Sequence, residues 1–527
     1  MRTGFRRTTG VYLLALGAFV YLSSGVALAS APTRAVGGVA WQMAASDNEV
    51  DRAFALAKQS GKPVFLYWGA VWCPPCNQVK ATLFSRPDFV ERSRAFIAVY
   101  VDGDRPGAQK VASRFKVQGY PTMIVFRADG TEITRLPGEV DPQRYLLTLT
   151  AGLDAQEPVR ELARRAVLKQ ALTAEQWQLL AYYSWDTDEQ QLFSDAELPQ
   201  RLAELAAAAP ADRPHERDRL ALKALAASAR VLSANRDGTA SDSNYRLVSR
   251  ILSDPVAVRE QFDILIGNAE SIIRYLAPAG EARRALATKW ESALVQLLSG
   301  PPLSRSDHLD LLDSRVGIWK LIEGNGVLSA ERRKQVLMDT SKIVAATADR
   351  YERQAVIPSA AHLLASSGLY MESDKLLQSE LPRAVAPYYH LLMLASNAKK
   401  RGEPERALSL YEQAWKKSEG PATRIQWGTG YTIQVIELAP GDTARVETAA
   451  SAVISQLEPR SETFFERNER SLKKMAKSLI AWQGADPTRT RVVAKVKLQL
   501  AKICKRLPSA DRGRGNCEVV FQEQATS

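Results

Sequence analysis

The stretch Val64 to Cys76, VFLYWGAVWCPPC, decides how this 527-residue chain is read. Val64-Phe65-Leu66-Tyr67-Trp68 is apolar and β-rich, as a strand buried on both faces should be. It breaks into Trp72-Cys73-Pro74-Pro75-Cys76, after which the turn residues disappear and a helix is expected, so Cys73 should stand where a strand feeds a helix. Unpaired N–H groups and the positive end of the helix dipole favour an anion there, which lowers the pKa of Cys73 and makes it the nucleophile. Cys76, one turn further in, is placed to attack a mixed disulfide on Cys73 and release the partner as a thiol. The rival readings are a structural disulfide and half a metal site. Zinc would need further ligands, and His215, His308, His362 and His390 all lie far away in sequence. Thiol–disulfide exchange needs no bound cofactor, so no cofactor and no metal are expected; metal delivery by the two thiolates stays as a weaker third reading.

Outward from this site, the length exceeds one typical domain, so a second, larger domain is expected. The formal net charge of +12 could suit nucleic acid or an anionic membrane surface. The N-terminus argues against nucleic acid. Arg2, Arg6 and Arg7 precede the apolar stretch Val11 to Leu22, and Ala27-Leu28-Ala29 follows, the pattern of a secretory signal peptide spanning 1–29 and cut after Ala29. Left uncleaved, the same segment is just long enough for an N-terminal membrane anchor. No second apolar stretch of spanning length follows, so the mature chain is expected to be soluble, exported and periplasmic, with no membrane span.

Export changes what the cysteines mean, because in an oxidising compartment a Cys-x-x-C enzyme must be driven by a partner or act as an oxidant. The other two cysteines, Cys504 and Cys517, flank a segment with Pro508 and the turn-prone Gly513-Arg514-Gly515-Asn516. They read as a structural disulfide closing the tail 508–527, with a role as internal substrate of Cys73 and Cys76 as the alternative.

At WCPPC, with Gly119-Tyr120-Pro121-Thr122 further on, the sequence resembles the thioredoxin superfamily: the first motif matches its redox site and the second its cis-proline loop. Lys62-Pro63, Ser85 to Val90 and Phe96 to Asp102 resemble the subgroup containing the C-terminal domain of the membrane thiol:disulfide interchange reductase. The resemblance implies a cis bond before Pro121, and a substrate groove formed by Trp72, Tyr120 and Pro121 in which the backbone of Tyr120 pairs with an extended segment. Tyr67 stands where the family has a buried aspartate and Ala98 where it has a lysine, so the acid–base pair serving the resolving thiol is missing. Pro74 and Pro75 also remove two N–H donors near Cys73. Superfamily potentials span roughly −270 to −120 mV, and the sequence does not place this site on that scale.

Along the chain, 30–45, small and glycine-containing, reads as a linker. Ser46-Asp47-Asn48-Glu49 has the spacing of a capping box that opens a helix ending at Ser60-Gly61. Helices, a strand at Phe96 to Val101, a hairpin at Met123 to Leu136 and a last helix from Asp141-Pro142 complete an α/β thioredoxin-like domain over 46–152, a mixed sheet between helices. From 157 to 507 strand signals nearly vanish, and Ala, Leu, Arg, Glu and Gln recur at helical spacing, with breaks at Ala209 to Pro214, Ser299 to Pro302, Glu323 to Gly326 and Gly420-Pro421. Gly368 and Gly402 stand one 34-residue period apart, and the second copy resembles a tetratricopeptide repeat. A large all-α repeat domain is expected, serving either as a binding surface for a peptide or protein client or as a scaffold. Trp177, Tyr182, Tyr183 and Trp185 are expected in its core, and Lys473, Lys474 and Lys477 on a solvated face.

The sequence thus predicts an exported thiol–disulfide oxidoreductase acting on protein thiols and disulfides and served by a redox partner, with reduction or isomerisation favoured by the resemblance. The alternative is a non-enzymatic adaptor whose repeats hold a client while the thioredoxin-like domain docks.

Overall fold

Alternation along the buried strand sets the layers of the first domain. In the computed structural model, which describes residues 33–36, 38–138, 142–189, 191–232, 242–324 and 326–522, Val64–Gly69 forms β3 and every one of its residues is buried. Val64, Leu66 and Trp68 face one side of the sheet, and Phe65 and Tyr67 the other, as the two-residue period of a strand requires. The other strands are β1 (Thr33–Val36), β2 (Val39–Ala44), β4 (Ile97–Asp102), β5 (Thr122–Phe126) and β6 (Glu132–Leu136), and the order across the sheet is β1-β2-β4-β3-β5-β6. β3 runs parallel to β4 and antiparallel to β5, which makes the sheet mixed.

Helices α1 (Asp47–Ser60) and α4 (Ala108–Phe115) cover the Leu66 face, and α2 (Pro74–Val79), α3 (Pro87–Arg92) and α5 (Pro142–Asp154) the Phe65 face. Ser46 and Glu49 cap α1 reciprocally, and Gly61 ends it at φ 67°, as the sequence signals require. One expectation fails. Most of the segment read as a linker, from Thr33 to Ala44, is an antiparallel hairpin that extends the sheet, because Val39 and Trp41 alternate into the core among Phe65, Tyr67 and Phe84. The expected signal peptide lies outside the described residues.

Beyond β6 no strand occurs among the described residues, and paired helices follow one another to the end. Gly368 and Gly402, at φ 81° and 75°, turn the hairpins Arg350–Ser366/Tyr370–Glu380 and Pro387–Lys400/Pro404–Lys417. Buried Asn397 ties the two together, donating to Ser373 and Asp374 at 2.9 Å each. Trp177, Tyr182, Tyr183 and Trp185 are core, and Ser184 N–H donates to the carbonyl of Arg135 on the edge strand β6. Among the described residues no helix is long and apolar enough to cross a membrane. Residues 31–527 cluster as one unit, the thioredoxin-like layers and the helical array together.

At the end of the chain Cys504 is joined to Cys517, and both are buried in the apolar cluster of the last helices. Gly513 to Asn516, read as a turn, lies inside the helix Arg512–Glu518, whose start Asp511 caps by accepting from Gly513 N–H. Closing a loop of this size is valued at about 3 kcal/mol in the chain-entropy model. Replacing both cysteines by serine should therefore lower the thermal midpoint of the helical signal in circular dichroism; an unchanged midpoint would mean that packing alone holds these helices.

Candidate functional site

Cys73 caps α2 with an extended backbone (φ −75°, ψ 115°), and Pro74 and Pro75 fill the first two helical positions. The first N–H left in the helix is that of Cys76, and it donates to the sulfur of Cys73 at 3.2 Å. One donor thus remains to stabilise a thiolate on Cys73 where the two prolines supply none. Cys73 and Cys76 are joined as a disulfide, with Cα atoms 5.2 Å apart.

The residues named for the groove assemble around this pair. The Tyr120–Pro121 bond is cis. Trp72 and Tyr120 lie 5.7 Å apart between ring centroids, and Tyr120 also stacks on Trp68. Burial pushes the Tyr120 phenol up to about 12. Behind the disulfide, the Tyr67 hydroxyl donates to the carbonyl of Cys76 at 3.5 Å, and burial keeps this phenol neutral at any ordinary pH.

Both cysteines are covered. Cys73 is 2% exposed and Cys76 0%, so neither sulfur faces solvent. The cover is the chain's own helical array. Trp72 stacks on Tyr389 at 5.8 Å, meets Trp427 edge-on at 5.6 Å and packs into the apolar cluster of Ala361, Tyr388, Leu391 and Leu394. The Trp72 indole N–H donates to Asp104 at 2.6 Å; Asp104 in turn pairs with Arg467 and accepts from the Thr423 hydroxyl at 2.5 Å. The Arg467 guanidinium lies over both Trp72 and Tyr120, and its backbone N–H donates to buried Gln109 at 3.0 Å. A cavity of about 610 Å³ lies beside α2, lined by Gln78, Val79, Arg144, Glu260 and Asp307 among others, and neither cysteine lines it.

A Cys-x-x-C pair at the end of a central strand, opposite a cis-proline in a mixed sheet, defines a redox module of the thioredoxin class. Residues 50–152 match the family model of a thioredoxin-like domain. A thioredoxin H-type of Oryza sativa subsp. indica is 33% identical over 92 residues, covering 17% of this chain and 70% of that protein. The chain belongs to the thioredoxin family. The thiol:disulfide interchange protein DsbD 1 of Pseudomonas aeruginosa is 30% identical over 105 residues, 19% of this chain, and the DsbD of Cronobacter sakazakii is 36% identical over 111 residues, 20% of this chain. The chain spans under a fifth of the length of these two, 18% and 19%. A solved thioredoxin from Thermus thermophilus, 27% identical, aligns over 21% of this chain and 85% of its own with a TM-score of 0.19.

Four polar residues around the site carried little sequence signal. Asp102 ends β4 and Asp104 lies just beyond it, Gln109 lies in the first turn of α4, and Arg467 is 363 positions from its partner Asp104. Asp102, the last residue of β4, is a half-buried acid in register with Gly69 at the end of the redox strand. Burial raises the Asp102 carboxyl above its ordinary value, against the pull of the Asp104 N–H and the charge of Lys80. Lys80, one turn below Cys76, holds its ammonium 5.2 Å from the Tyr100 ring. Among the described residues no cluster of His, Cys, Asp and Glu could hold a metal ion.

Since the folded pKa of Asp102 is raised, its favourable contribution is complete below the unfolded carboxyl value and is lost as pH rises through the folded one. Asp102→Asn, which cannot ionise, should be more stable than the wild type near pH 8, with the advantage shrinking as pH falls toward the ordinary carboxyl range. Thermal midpoints of both proteins from pH 8 down to about pH 4, the ordinary carboxyl range, check this, and a variant less stable at pH 8 would show that attraction to Lys80 outweighs burial.

Proposed function

We propose that the protein is an exported thiol–disulfide oxidoreductase acting on protein substrates, with Cys73 as nucleophile and Cys76 as resolving thiol. The observation that carries this reading is the Cys76 N–H held on the Cys73 sulfur at the start of α2, with Trp72 and the Tyr120–Pro121 loop beside it. In the reducing direction the Cys73 thiolate attacks one sulfur of a substrate disulfide, that S–S bond breaks, and the departing thiolate takes up a proton. Cys76 gives up its proton and attacks the Cys73 sulfur, which re-forms the Cys73–Cys76 disulfide and frees the second substrate thiol. Two electrons and two protons reach the substrate, and a partner dithiol must return them for the next cycle. Isomerisation uses the same first step, with the mixed disulfide resolved by another substrate thiol.

Export rests on the basic and apolar residues before Ala29 and is supported by the second disulfide, Cys504–Cys517, which suits an oxidising compartment. The relatives named as thiol:disulfide interchange proteins support exchange chemistry, and the lean toward reduction or isomerisation over oxidation rests on the subgroup that the sequence resembles. A second reading, an adaptor without turnover, draws on the cover over Cys73. Reduction of a fluorescent glutathione mixed disulfide, driven by dithiothreitol, separates the two. The wild type should exceed Cys73→Ser by at least about tenfold, because serine offers no thiolate to attack the disulfide, and Cys76→Ser should accumulate the mixed disulfide. Equal slow rates in wild type and Cys73→Ser would leave the adaptor.

A further inference from the structure

The face of α2 that a redox partner must reach is filled by the far end of the chain's own helical array. Helix Arg350–Ser366 packs along α2; Tyr389 comes from Pro387–Lys400, Thr423 and Trp427 from Pro421–Leu438, and Arg467 from Glu466–Gln483. Earlier in the array Gln178 donates to Thr148 of α5 at 3.2 Å, on the same face of the sheet as α2.

Two properties set this seam apart from a permanent core. First, it is polar at its centre. Arg467 is 8% exposed, yet its Nε and Nη1 find no hydrogen-bond partner in the protein, and neither does Trp427 Nε1. Such groups regain water when the seam parts, and a buried ion pair such as Asp104–Arg467 recovers only part of its desolvation cost while closed. Second, in an array of helical hairpins each unit touches mainly its neighbours, so small rotations add up along its length and the far end can swing without any one hairpin unfolding.

We propose that residues 350–483 form a gate over the Cys73–Cys76 disulfide, latched by Arg467 against Asp104, and that the sulfur pair reacts only when this seam opens. Arg467 acts here as a positioning residue: it holds Trp72 and Tyr120 together and the array down on both. The gate concerns access alone and holds whether the protein reduces, isomerises or oxidises its substrates. A chemical reductant therefore tests it separately from the turnover that tests the oxidoreductase reading.

The test uses the oxidised full chain and tris(2-carboxyethyl)phosphine. The phosphine gives its electron pair to a sulfur and ends as the oxide with oxygen from water, while both sulfurs are released as thiols. Samples quenched with an alkylating agent and digested report each disulfide separately. Cys504–Cys517, buried in the last helices, serves as an internal control for unfolding. Arg467→Ala, and Thr423→Asp, which sets a second carboxylate against Asp104, should speed loss of Cys73–Cys76 at least about tenfold and leave Cys504–Cys517 unchanged. Arg467→Lys, keeping the charge, should fall between Arg467→Ala and wild type. Unchanged Cys73–Cys76 rates in both variants, or both disulfides accelerating together, would overturn the gate. Should neither variant fold, the wild type decides: the gate requires Cys73–Cys76 to be lost while Cys504–Cys517 and the helical signal persist, and simultaneous loss of all three rejects it.

Discussion

One carboxylate joins the two halves of this protein. Asp104, just past the end of the strand beside the redox strand, accepts from the indole of Trp72, the neighbour of Cys73, and from Thr423 and Arg467 of the helical array. Its position constrains the chain that meets it. Gly420 has φ +82°, and a Cβ there would lie 2.8 Å from the Asp104 Cβ, so the break at Gly420-Pro421 serves both a backbone conformation that side chains resist and a close approach to the carboxylate. The loop between two helices is thus shaped by a residue in another layer.

The chemistry of Cys73 and the packing of the array consequently share residues. Trp72 belongs to the apolar cluster of the repeats and to the wall of the redox site, and Tyr120 is both a neighbour of the cis-proline and a surface for the Arg467 guanidinium. A cation stacked on two aromatic rings and paired with a carboxylate is held by direction as well as by burial. An apolar plug could cover α2 equally well, but it would tolerate sliding. The Asp104–Arg467–Thr423 contact fixes one register between array and site.

The thioredoxin-like layers were legible because local signals and long-range packing agree there. The apolar run at Val64, the capping box at Ser46 and the cysteine spacing each specify an element, and each falls where the sheet needs it. The hairpin from Thr33 to Ala44 was missed because its small residues and glycines resemble a linker; Trp41 alone marks it, and a single aromatic does not establish a two-residue period. Gly513 to Asn516 were read as a turn although the Asp511 cap and the disulfide hold them helical, a tertiary override of weak propensity. The helical array was readable as helices, hairpin breaks and one repeat period. Its return onto the redox site was not, because Arg467 carries no pattern at its own position and its partners there, Asp104 and Gln109, lie more than three hundred residues away.

Burial by itself does not tell a working cysteine pair from a structural one, since all four cysteines here are buried. The difference lies in what covers them. Cys504 and Cys517 lie in a continuous core with Val493, Val496, Leu500 and Val520, so exposing them means taking apart the helices that hold them. Cys73 and Cys76 rest on the sheet on one side and lie beside a seam on the other, where the covering helices have a cluster of their own that meets the redox site through Trp72. Parting that seam leaves β3, α2 and the Cys76 N–H in place, so the geometry that favours a thiolate survives the motion that admits a partner. Reactivity built into the strand-to-helix junction and access set by a distant set of helices can therefore vary independently, and a change in the array can alter when the site reacts without altering what it does.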